Sequence, residues 1–114
     1  MKNINCELRK MLAASTSDLE KAVLEECLSE TEPECFIDGV LKWGCVSGSV
    51  GSLIYYSDTH KFYDKHYCEI EELREDYENN NGIPIKITGD LKNYLAWFAF
   101  EETLYRIAGK IGIV

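Results

Sequence analysis

Apolar residues recur along this chain mainly at spacings of three and four, the period of a helix with one buried face. Residues 3–13 place Ile4, Leu8, Met11 and Leu12 on one side of a first helix. "STSD" at 15–18 is a start signal, because short polar side chains accept from the free amides of a first turn. The helix it opens carries Leu19, Val23, Leu24, Cys27 and Leu28 on one face, with Glu20, Glu25, Glu26 and Glu30 mainly opposite. "TEP" at 31–33 is a second start, with Thr31 or Glu32 as cap and Pro33 in the first turn, where an amide is not needed. Phe36, Ile37, Val40, Leu41 and Trp43 then face inward, and Gly44 ends that helix.

The stretch "GCVSGSVGSLIYY" (44–56) carries two patterns. Val50, Leu53, Ile54, Tyr55 and Tyr56 suit a strand, whereas Gly48, Gly51 and Ser52 share a small-residue helical face. We read it as a helix. From 57 to 82 one helix is predicted, capped by Ser57 or Asp58, with Phe62, His66, Ile70, Leu73 and Tyr77 as its inner stripe. "NNNGIP" ends it and turns the chain. "IPIKIT" (83–88) alternates, which predicts a short strand or extended segment. Thr88 or Asp90 then caps a last helix over 90–109 that stops near Gly109. This helix is apolar on most sides, with Leu91, Leu95, Phe98 and Tyr105 in one stripe and Trp97, Phe100, Leu104, Ala108 and Ile111 in another. The fold class is therefore mainly α: a compact bundle built around a central C-terminal helix, in a single globular domain over 1–114.

Charge narrows the choice of partner. The chain has 114 residues and a net charge of −8. Such a field repels phosphate backbones and acidic membranes and favours a partner protein with a basic surface. No direct nucleic-acid or membrane role is expected. The five cysteines include no CxxC pair, and the N-terminus has no apolar signal core. Free, mostly buried thiols in a cytoplasmic setting follow from that pattern.

Candidate chemistry is sparse, and no cofactor or metal is called for. His60 and Asp64 share a helical face, but the two histidines lack the i, i+4 spacing of zinc helices. His66 and Glu69 make at most half a metal site. The glycine–serine stretch lacks the lysine of a phosphate loop. Glu101 and Glu102 directly follow the apolar run 95–100. Their structural reading is a polar network that anchors the last helix, satisfied by tyrosines and by Glu102 with Arg106 four residues on. The candidate binding residues are Tyr55, Tyr56, His60, Tyr63, His66, Tyr67, Glu101 and Glu102, an aromatic-rich set of the kind that suits interfaces.

Two segments, "GCVSGSVGSLIYYSDTHKFYDKHYCEIEELRED" and "GDLKNYLAWFAFEETLYRIA", resemble a family of small bacteriophage and prophage proteins of unknown function. The likeness covers about residues 44–108. It implies a phage or mobile-element protein, and small acidic phage proteins without catalytic motifs are often inhibitors of host defence, anti-restriction or anti-CRISPR proteins among them. The leading expectation is non-enzymatic binding of a host or phage protein in the host cytoplasm. Two alternatives stand beside it. One is a ligand binder or enzyme with a pocket between the 57–79 and 90–109 helices, where His66, Tyr67, Glu101 and Glu102 converge. The other is a structural homo-oligomer that pairs through the apolar last helix.

Overall fold

A computed structural model describes residues 4–43, 56–87 and 89–112. Six helices account for most of them: α1 (Ile4–Ala14), α2 (Asp18–Ser29), α3 (Pro33–Trp43), α4 (Tyr56–Lys65), α5 (Tyr67–Asn81) and α6 (Leu91–Ile111). The mainly-α bundle is thus what the molecule adopts. The preference for a helix over 44–56 falls outside the described residues up to 55, as do Gly44 as a helix end and Thr88 as a cap.

Local chemistry sets the helix ends. Ser17 is extended (φ −95°, ψ 121°) and its Oγ accepts the Glu20 amide, so α2 begins where "STSD" placed it. Asp90 does the same for α6, with its carboxylate accepting the Asn93 amide at 2.8 Å. Gly82 adopts φ 73° and closes α5, a conformation that costs other residues more because of their Cβ. Helix α6 runs past Gly109 and ends at Gly112, at φ 81°. Gly109 remains helical because Ala108 and Ile111 are still buried, and packing outweighs about 1 kcal/mol of propensity.

The long helix over 57–82 is two helices. The break falls at His66 (φ −112°, ψ 25°), which has neither glycine nor proline beside it. Backbone bonds continue through it, from His66 N–H to the Phe62 carbonyl and from Ile70 N–H to the His66 carbonyl. The chain bends there with these two bonds kept. The predicted inner stripe holds at Ile70 and Leu73, which are buried, but Tyr77 is exposed and touches Phe98 edge-on. No strand occurs among the described residues. Residue 83 is a bend and 84–87 carry no regular secondary structure, with the Ile85 amide donating to Glu78 and Ile87 packed on the core.

Helix α6 packs against each of the other five helices. Its 21 residues span about 31 Å, most of the 40 Å long axis. Leu95, Ala96, Ala99, Phe100, Leu104, Ile107 and Ala108 are fully buried. The alanines let neighbouring helices approach, and Phe100 fills the centre. Its ring meets Phe36 of α3, Phe62 of α4 and Trp97 edge-on, each at 6.4 Å between centroids. Only one of the two predicted stripes is fully inward. Along the other, Leu95 is buried, but Leu91 and Tyr105 are 45% and 58% exposed.

Candidate functional site

Polar side chains meet α6 at two places. At its start, α4 reaches across three times. Thr59 Oγ1 donates to Asn93 Oδ1 at 2.8 Å, His60 Nε2 donates to Asp90 Oδ1 at 2.8 Å, and Lys92 Nζ pairs with Asp64 at 2.8 Å. The capping carboxylate of Asp90 therefore serves two elements at once.

At the other end, α2, α5 and α6 enclose a groove of about 260 Å³ lined by Ser17, Leu19, Glu20, Glu69, Glu72, Leu73, Asp76, Thr103 and Arg106. Helix α5 supplies six carboxylates and a single arginine. Three of those carboxylates are engaged inside the fold. Glu69 accepts the Ser17 hydroxyl and the Leu19 amide, both at 2.7 Å, and so holds the first turn of α2. Glu71 accepts the Tyr63 hydroxyl at 2.7 Å, and Glu78 accepts the Ile85 amide at 2.7 Å. Arg74 lies 3.7 Å from both Glu71 and Glu78. Glu72, Glu75 and Asp76 remain without a partner among the described residues, and two of these line the groove. The groove floor includes Thr103, which is 6% exposed and whose hydroxyl has no partner among the described residues.

His66 lies behind this region, 4% exposed. Its ring is tilted against Phe62 with centroids 4.9 Å apart, and its Nδ1 is buried without a hydrogen bond. Glu69 Oε2 stands 4.0 Å away but is committed to α2. Burial, reinforced by the Lys65 charge, holds the imidazole below its ordinary pKa, against the pull of Glu69 and Asp18. Burial and the bond to Glu71 push the Tyr63 hydroxyl up. Cys27 is pushed up to about 12, first by burial and then by Glu26 and Glu30, which makes it an inert core thiol. The expectation of mostly buried thiols fails elsewhere: Cys6, Cys35 and Cys68 are exposed.

The six sequence candidates whose side chains are described do not gather into one site. Tyr55 and the side chain of Tyr56 lie outside the described residues. His60 belongs to the α4–α6 clasp, while Tyr63 and His66 are buried. Tyr67, 53% exposed, touches Tyr63 edge-on at 5.6 Å between centroids. Glu101 is exposed, and Glu102 meets Arg106 at only 4.0 Å. Glu101 therefore faces solvent and Glu102 is half-buried, and the network anchoring α6 is built on Asp90, Asn93 and α4 instead. A groove does lie between α5 and α6, but His66, Tyr67, Glu101 and Glu102 do not line it. No cluster of three or more histidine, cysteine or acidic residues suited to a metal occurs among the described residues. No helix among them is long and apolar enough to cross a membrane.

A family of unknown function, DUF7222, matches residues 11–113. The chain belongs to this family. The match takes in most of the first 40 residues as well, so α2 and α3 are part of the DUF7222 domain along with the C-terminal helices. Comparison with curated proteins and with solved structures finds no match.

Proposed function

We propose that this DUF7222 protein acts non-enzymatically, by binding a partner protein that presents a basic surface. The observation that carries the reading is the unequal use of the α5 carboxylates. Three are engaged within the fold, while Glu72 and Asp76 stand one turn apart in the groove with no ion pair to either among the described residues, Arg106 in the same lining being turned to Glu102. Like charges at that spacing destabilise a helix by about 0.2–0.5 kcal/mol, a cost that an incoming cation removes. The net charge of −8 adds long-range steering toward such a partner.

The motif likeness at 44–108 extends the proposal to a phage or mobile-element setting, with a component of host defence as the partner. Co-precipitation from bacterial host lysate at low salt tests it, comparing the natural protein with Glu72→Lys/Asp76→Lys. The expected result is a stoichiometric partner held by the first and lost by the second. Chaperones alone in both lanes contradict the proposal.

A further inference from the structure

We propose that the groove between α2, α5 and α6 receives one arginine side chain of the partner, its guanidinium bridging Glu72 and Asp76 and donating to the Thr103 hydroxyl. The inference rests on the partner-binding reading and names its chemistry. Size is the first argument. About 260 Å³ lies just below the range of pockets that hold whole cofactors or substrates, so one side chain is the better match.

Composition is the second argument. Four carboxylates (Glu20, Glu69, Glu72 and Asp76) and one guanidinium line the groove. Glu69 is occupied by α2, and Lys110 lies 3.3 Å from Glu20. Glu72 and Asp76 are left as the anionic pair. Independently of charge, Thr103 is more than nine-tenths buried in the groove wall, with its oxygen unused among the described residues. Leu19 and Leu73 add apolar wall against which an aliphatic stem can lie.

Arginine suits this arrangement better than lysine. Its planar group carries five donors in a fixed fork, which serves two carboxylates and a hydroxyl together. An ammonium is compact and more strongly hydrated, so it gives up more on entering. Arg106 lies in the lining and only weakly meets Glu102, at 4.0 Å, so its charge opposes the incoming guanidinium.

The test is an NMR titration of the full chain at low salt with the capped peptide Gly-Arg-Gly, and with Gly-Lys-Gly as control. Expected are saturable shifts confined to residues 17–20, 69–76 and 103–106, with the lysine peptide about threefold or more weaker. Glu72→Gln/Asp76→Asn weakens the arginine peptide by about fivefold, as expected for two exposed charge contacts. Thr103→Val weakens it at unchanged stability, and Arg106→Gln tightens it. Equal binding of both peptides, shifts scattered over the surface, or no effect of the Glu72/Asp76 changes overturns the proposal. If the peptide fails while a lysate partner is still captured and is indifferent to charge reversal at 72 and 76, the groove is wrong and partner binding stands. If the lysate yields no partner either, the broader reading falls with it.

Discussion

The two ends of α6 meet their neighbours in opposite ways. Near Asp90, polar groups are closed upon one another: the cap, the α4 histidine and hydroxyl, and the Lys92–Asp64 pair all find protein partners. Near Thr103 and Arg106 the facing helix offers carboxylates that the fold leaves unused. The same helix is thus fastened at one end and left chemically open at the other. Unspent polar capacity beside a satisfied scaffold is where recognition is to be sought, because buried polar groups are ordinarily paired.

The largest expected effect removes the core that both ends share. Phe100→Ala takes away a fully buried ring with three aromatic neighbours and should cost about 3–5 kcal/mol, read as a fall in the urea midpoint. Next comes the closed end. Asp90→Ala removes a helix cap and the acceptor for His60 together, so a loss of about 1–2 kcal/mol is expected in the same assay.

A smaller effect is pH-dependent and lies at His66, between the two ends. Its folded-state pKa is lowered from the usual 6.5 by burial, so the unfolded chain takes up the proton first as the pH falls. Stability is full above 6.5 and declines as the pH drops from there toward the folded value. Lys65, Glu69 and Asp18 are the charges that act on the ring. His66→Leu should flatten this decline between pH 7.5 and 5.5 in urea titrations. An unchanged slope would show that the histidine does not titrate against the fold.

Much of this scaffold is written in the sequence. Ser17, Pro33, Asp90 and Gly82 mark helix ends through short-range chemistry that a linear reading captures. The bend at His66 is hidden because apolar spacing and backbone bonding both run through it. Gly109 looked like a terminator because its neighbours' burial is a tertiary fact. Glu69 gave no sign of its role, since its partners Ser17 and Leu19 lie about 50 residues away. The conspicuous pair Glu101–Glu102 drew notice by following an apolar run, yet helical geometry turns Glu101 to solvent. The groove needs three helices at once, and only the surplus of acids over bases between 69 and 78 hinted at it.

The most direct measurement is the urea stability of Glu72→Gln/Asp76→Asn beside that of Asp90→Ala. If the groove carboxylates are held in reserve for a partner, neutralising them leaves stability unchanged or raises it by about 0.2–0.5 kcal/mol, while the Asp90 variant loses more than about 1 kcal/mol. A loss in the double variant as large as that from Asp90→Ala would mean that Glu72 and Asp76 hold the fold together, and the contrast between the two ends would be gone.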